Sequence, residues 1–284
     1  MKEEINKIIK ESNLKVGLYA SNFQDTIEIN ANHIFESASC IMVFVLIEFY
    51  KQVDENKINE KEIFIFDKDN DISGLNFEII SLFDYGLKLT AKDYATLMIV
   101  FSDSMATNKL IDFLGIDNIN NTIKSLGLKN TFLCNKLDLL KYFKFGTTTP
   151  REYAKVYEML LRGEVINKQV SKKVLNILKK QRNFDMLKKG LPPIDILFKG
   201  TNDSNINYIA SKNGSIVWVG NEMKNARNDG GIISTKDRDI IISIFITDID
   251  DLQLNYDNKG IECGGKIVKL IYDEFIKQGE NDND

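Results

Sequence analysis

The feature that most limits how this chain can fold is a run with no polar face: Cys40, Ile41, Met42, Val43, Phe44, Val45, Leu46 and Ile47 follow one another without a break. A helix that is apolar all round has to be buried on every side, so residues 39 to 50 predict a helix at the centre of the fold. The run is too short to cross a bilayer, so it belongs to a protein core. A chain of 284 residues can build that core in about two lobes.

The rest of the chain is organised around this helix. Ile5, Ile8 and Ile9 fall at helical spacing, and β-like runs follow at Leu14 to Ala20 and Thr26 to Asn30. From about 53 to 199 the pattern is mostly helical. Thr149-Pro150-Arg151-Glu152 combines an N-cap threonine, a first-turn proline and a capping-box glutamate ahead of Tyr153, Val156, Tyr157 and Leu160, and Gly163 closes the stretch. Gly115 and Gly127 close the helical stretches 105 to 114 and 117 to 126. After Pro192-Pro193, β-rich runs at 208–212, 215–220, 230–235 and 240–247 alternate with polar turns, and an amphipathic helix over about 264 to 277 comes last. Strands joined by short turns pair antiparallel, so the expected fold class is α+β, a sandwich of sheet and helices. The sheet is built from both termini with flanking helices (residues 1–52 and 200–284), and an all-helical lobe (residues 53–199) is inserted between its halves.

Composition narrows the function. With 37 basic and 41 acidic side chains the net charge is −4, and no basic block is present to neutralise a row of phosphates, so nucleic acid is not an expected partner. No membrane partner is expected either, and a monomer is favoured. The start Met1-Lys2-Glu3-Glu4-Ile5 carries acids where a signal peptide carries basic residues, which reads as cytoplasmic, or as extracellular if a signal has been removed. Cys40, Cys134 and Cys263 are odd in number and form no CxxC pair, as in a reducing compartment. His33 is the single histidine, which argues against a zinc site or a Ser/His/Asp triad. Two motifs fall short. Gly260 to Ile267 has P-loop spacing but ends in Ile267 where Ser or Thr would hold magnesium, so it reads as the glycine-rich start of the last helix. Asp67, Asp69, Asp71 and Glu78 have calcium-loop spacing, but Ile72 stands where the loop needs glycine, so they read as a solvated acidic loop. No metal or organic cofactor is expected.

Three motifs carry chemistry. Ser39-Cys40-Ile41-Met42 opens the buried helix, Ser102-Asp103-Ser104 follows a hydrophobic helix, and Lys212-Asn213-Gly214-Ser215 ends one strand and begins the next. Taken in this order they resemble S-x-x-K, S-D-N and K-T-G, the active-site motifs of class A β-lactamases and the related penicillin-binding proteins. The likeness extends to Phe35-Glu-Ser-Ala-Ser39, Ser73-Gly74, Gly86-Leu-Lys-Leu-Thr90, Leu97 to Asp103, Ala106-Thr-Asn108, Thr147-Thr-Thr-Pro-Arg151 and Arg227-Asn-Asp229, and spans roughly residues 14 to 275.

The resemblance implies a β-lactamase/transpeptidase-like fold with the active-site cleft between the two lobes, taking a small β-lactam-like or peptide-like ligand. It implies that Ser39 is the nucleophile that forms an acyl-enzyme. The backbone N–H groups of Ser39 and Ser215 would then form the oxyanion hole. It makes Ser102 the proton relay and Lys212 the positive charge that supports it, and gives Ser104, Asn213, Gly214, Ser215 and Arg227 to substrate binding. Arg227 matches an arginine whose planar fork binds a carboxylate.

The departures fall at demanding positions. Met42 replaces the motif lysine with a thioether that neither takes nor gives a proton, and loss of a positioned base costs ~10² to 10⁴ in rate. Ser104 is too short to make the bonds of the asparagine amide it replaces. Between Thr131 and Phe145 the only acid is Asp138, so the deacylating glutamate of an E-x-x-L-N segment is missing. Two readings follow: an impaired serine hydrolase in which Ser39 is at most slowly acylated, or a non-catalytic binding or regulatory protein on the same fold.

Overall fold

A computed structural model describes residues 1–67, 78–137, 144–183, 185–192, 205–217, 225–253 and 257–281, with side chains to 276 in the last helix. In chain order the first elements are α1 (Lys2–Ser12), β1 (Lys15–Ser21), β2 (Thr26–Ile29), β3 (Phe35–Glu36), a 3-10 turn (Ala38–Ile41) and α2 (Met42–Asp54). Next come β4 (Ile63–Ile65), β5 (Lys88–Thr90), α3 (Ala91–Phe101), α4 (Ser104–Leu114), α5 (Ile116–Ser125), β6 (Phe132–Leu133) and β7 (Gly146–Thr148). The chain continues through α6 (Pro150–Arg162), α7 (Lys168–Leu178), α8 (Met186–Gly190), β8 (Ile206–Ser211), β9 (Gly214–Ile216), β10 (Asn225–Thr235), β11 (Asp239–Ile249) and α9 (Lys259–Asn281). They divide into one compact unit of Met1–Phe35, Thr149–Tyr157 and Phe184–Asp284, and a second of Glu36–Thr148 and Glu158–Asn183.

The first unit is built on an antiparallel sheet of order β2-β1-β11-β10-β8, with β9 also paired to β10. Both ends of the chain therefore share one sheet, and the fold is α+β with open sheets and flanking helices, as the sequence predicts. The register places Val16 opposite Ile246, Leu18 opposite Ile244 and Ala20 opposite Ile242. These period-two residues form one apolar face, and Ile5 of α1 and Ile267, Ile271 and Phe275 of α9 belong to the same buried cluster.

The strand β10 begins at Asn225, earlier than the expected 230, and every residue in it is buried. Asn225-Ala-Arg-Asn-Asp has little β propensity of its own; pairing on both edges, to β11 on one side and to β8 and β9 on the other, draws it into the sheet. The last helix also starts early. Gly260, Gly264 and Gly265 lie inside α9, so the P-loop-like stretch is helical rather than a phosphate-cradling loop. A Cβ added at Gly264 would stand 2.1 Å from the Met186 sulfur, so this glycine permits the close packing of α8 on α9.

In the second unit α2 is central, with every side chain from Met42 to Tyr50 buried. Its one buried acid is fully engaged: Glu48 accepts hydrogen bonds from Gln52 Nε2 at 2.7 Å and from the Thr122 hydroxyl of α5. The lobe also holds two short ladders, β4-β5 and β3-β7-β6, beside its helices. Gly115, Gly127 and Gly163 take positive φ where the helices α4, α5 and α6 end. Thr149 Oγ1 accepts from Glu152 N at 3.1 Å, the N-cap bond expected ahead of α6. No described helix is long and apolar enough to cross a membrane. Of the acidic loop, Asp69 and Asp71 lie outside the described residues; Glu78 is buried.

Candidate active site

The second unit carries Ser39, Ser102 and Ser104. Ser39 sits half-buried in the 3-10 turn that leads into α2. The residue before it, Ala38, takes φ +48°, a left-handed conformation that costs a non-glycine residue ~1 kcal/mol or more and marks a tightly determined backbone. That turn is fastened to β7, where Ser37 N donates to Gly146 O at 2.9 Å. A Cβ at Gly146 would meet Phe132 O and Ser37 Oγ at 2.8 Å, so only glycine fits there.

One helical turn after Ser39, where the family places its lysine, the Met42 side chain is 0 % exposed. The Thr107 hydroxyl lies 3.7 Å from its sulfur but donates more closely to Asp103 O, at 2.6 Å. This position is filled by a thioether with no ionisable group.

The Ser102-Asp103-Ser104 corner is held by its middle residue. Asp103 caps α4 by accepting from Ala106 N at 2.8 Å, and it also accepts from Ile80 N at 3.0 Å. Burial raises its pKa above the usual carboxylate value, against the pull of these backbone donors. Ser102 closes α3 in the left-handed conformation (φ +56°). Ser104 is buried in the first turn of α4.

The first unit carries Lys212, Asn213, Gly214, Ser215 and Arg227. Lys212 and Asn213 form the break between β8 and β9, both of which pair with β10. The Lys212 backbone is fixed on both sides: its N–H donates to Gly230 O at 3.1 Å and its carbonyl accepts from the Tyr153 hydroxyl at 2.8 Å. Its side chain is 0 % exposed, and Nζ donates to Asn213 O at 2.6 Å. Gly214 and Ser215 lie on β9 opposite Asn228 and Arg227, with Ser215 exposed. The Arg227 guanidinium is 1 % exposed and donates to three carbonyls, Ala226 O at 2.9 Å, Ile216 O at 3.2 Å and Gln253 O at 2.5 Å.

Two acids that the motifs do not flag complete this cluster. Asp185, just before α8, accepts a hydrogen bond from Asn213 Nδ2. Asp229, on β10 and 3 % exposed, accepts from Leu187 N and from Gly230 N, both at 2.9 Å. Burial raises both carboxyls, Asp185 to about 6 against the pull of Arg227, Lys212 and Lys188, and Asp229 to about 7 with Asp185 adding to the rise. A charged triplet inside a buried strand, Arg227-Asn-Asp229, was the one available signal for Asp229. Nothing local marks Asp185.

His33 is exposed, with Nε2 2.6 Å from Lys15 Nζ and its ring edge-on to Phe35, so it is a surface histidine. Asp138 lies outside the described residues. Among the described residues no group of three or more His, Cys, Asp or Glu side chains is placed to hold a metal ion.

Comparison with solved structures agrees with this architecture. A β-lactamase from Sphaerobacter thermophilus is 24% identical over 95% of this chain and 96% of its own, with a TM-score of 0.80. The protein PBP-A is 23% identical over 97% of this chain and 96% of its own, with a TM-score of 0.79. A β-lactamase from Chitinophaga pinensis is 19% identical over 96% of this chain and 98% of its own, with a TM-score of 0.80. At such identities the likeness speaks to the fold. Membership comes from the sequence itself: residues 1–275 match the model of the β-lactamase enzyme family, and the chain belongs to that family.

Proposed function

We propose that this protein keeps the family's serine nucleophile at Ser39 without the base that drives it, so that β-lactam hydrolysis is absent or very weak and at most slow acylation of Ser39 remains. The observation that carries this reading is the buried thioether of Met42 one helical turn from Ser39. An amine there would take the serine proton; a thioether cannot, and the loss is worth ~10² to 10⁴ in rate. Ser104 compounds the loss, because a hydroxyl cannot reproduce an amide's paired donor and acceptor. Turnover suffers further from the missing glutamate segment between Thr131 and Phe145.

The test is the intact mass of the protein after incubation with benzylpenicillin, beside Ser39→Ala. A slowly formed, long-lived adduct on the wild type alone is the expected result. No adduct on protein shown to be folded would overturn acylation.

A second reading, ligand binding without covalent chemistry, is favoured by the first unit, where Lys212 and Arg227 are retained but fastened to carbonyls. On this reading Ser39→Ala binds a small β-lactam-like or peptide-like ligand as well as the wild type does, measured by calorimetry.

A further inference from the structure

A buried ammonium needs an anion, and Lys212 is 0 % exposed. Its Nζ donates to Asn213 O at 2.6 Å and lies 3.5 Å from Asn213 Oδ1, while the same amide group donates through Nδ2 to Asp185. Asn213 thus links a cation to a carboxylate within one residue. A threonine hydroxyl, the family's residue at this position, is a shorter group with a single donor hydrogen and could not span the two in this way. The departure from K-T-G and the presence of Asp185 therefore explain one another.

The surroundings of Asp185 are charged on several sides. Lys188 stands on its own helix α8, Lys212 on the β8–β9 turn, and Arg227 and Asp229 on β10. From α9, Glu262 is engaged by Lys189 of α8. Arg227 is also acted on by Asp251, and its Nε, alone among its nitrogens, lacks a hydrogen-bond partner among the described residues. A buried donor left unsatisfied is destabilising, which is a standing preference for an acceptor at this place.

We propose that Asp185 is the resident anion of this site: its carboxylate stands in for that of a ligand, so that the Lys212 and Arg227 pair takes an anionic ligand only when Asp185 is protonated and takes neutral ligands at any pH. The inference rests on Lys212 facing a ligand, as in the reading above, and adds which charge that ligand carries. Burial brings the Asp185 carboxyl to about 6, so the change of preference falls just below neutrality. Asp229 supports it from behind, held by two backbone donors and competing with Asp185 for charge.

The experiment measures thermal unfolding of the full chain against phenylacetate, an anion, and phenylacetamide, its neutral counterpart, at about pH 5.5 and about pH 8. A ligand that binds only the folded state raises the midpoint by an amount that grows with the logarithm of its affinity. Wild type is expected to bind phenylacetate on the order of 10²-fold more tightly at the lower pH, with phenylacetamide unchanged between the two. Asp185→Asn should bind phenylacetate equally at both, as tightly as the wild type does in acid; Asp185→Ser serves if the first variant fails to fold. The inference is overturned if the variants keep the wild-type pH dependence, if phenylacetamide shows the same dependence, or if phenylacetate binds neither protein at either pH. Carrying the Ser39→Ala background throughout separates this from acylation, whose failure is read by mass alone.

Discussion

Around Ser39 and around Lys212 the same fold treats its polar groups in opposite ways. On the proposed reading, reactive capacity is removed in the second unit: Met42 stands where the resemblance puts a lysine and Ser104 where it puts an asparagine, and the Met42 side chain is closed to solvent. In the first unit capacity is retained but occupied. Lys212 and Arg227 are present and buried, each is bound to backbone carbonyl oxygen, and both act electrostatically on Asp185. Subtraction leaves nothing to restore without mutation, whereas occupation can be undone by a proton or a competing ligand. The two proposals therefore make different demands: the first predicts chemistry restored by mutation, the second an admission of ligands changed by a proton.

The sharpest way to break this comparison is to reverse the subtraction. Met42→Lys with Ser104→Asn should raise the rate of Ser39 acylation by ~10² to 10⁴, followed as the growth of the benzylpenicillin adduct by mass. No gain from folded protein would mean that the second unit, too, has changed shape rather than merely lost two groups. The single Met42→Lys variant should lower the melting temperature, because it places an ammonium where nothing is exposed.

The occupied half is tested by pH. Asp185 and Asp229 have raised values in the fold, so the folded state holds protons that the unfolded chain has already released above its ordinary carboxylate range. Their contribution to stability is complete below about pH 4 and is lost as pH rises through about 6 and 7. Denaturant unfolding should therefore show stability falling between about pH 4 and 7, and less steeply in Asp185→Asn. A rise over that interval would show that these carboxylates are stabilised as anions.

The smallest expected effect concerns the backbone that presents Lys212. Tyr153→Phe removes the hydroxyl that donates to Lys212 O, at a cost of about 1 kcal/mol in denaturant unfolding, and should weaken ligand binding in the first unit. Unchanged binding would show that this bond does not set the Lys212 position.

Much of the fold was legible because local signals and tertiary demands agree. The unbroken apolar run gave α2, and Gly115, Gly127 and Gly163 marked three helix ends. The beginning of β10 was not legible, because Asn225 to Asp229 is polar and becomes strand only by pairing on both edges. The start of α9 was legible only to within a turn or so: the amphipathic pattern begins at about 264, whereas the glycine-rich stretch before it is already helical from Lys259. At the candidate site the motif residues could be named from spacing, since each motif is local. Asp185 could not, because what matters about it is its meeting with Asn213, which lies 28 positions further on and comes near only through the sheet.

The fit between Gly264 and Met186 has a reach beyond packing. Met186 follows Asp185 directly, and its side chain occupies the space that a methyl group on Gly264 would need. The α9 backbone thereby acts as a gauge for the seat of the Asp185 carboxylate, although it lies far along the chain from every motif. Even an alanine at Gly264 would have to push the Met186 side chain aside, so on the proposal above the seat of the neighbouring Asp185 is open to changes in the last helix while all three motifs stay as they are.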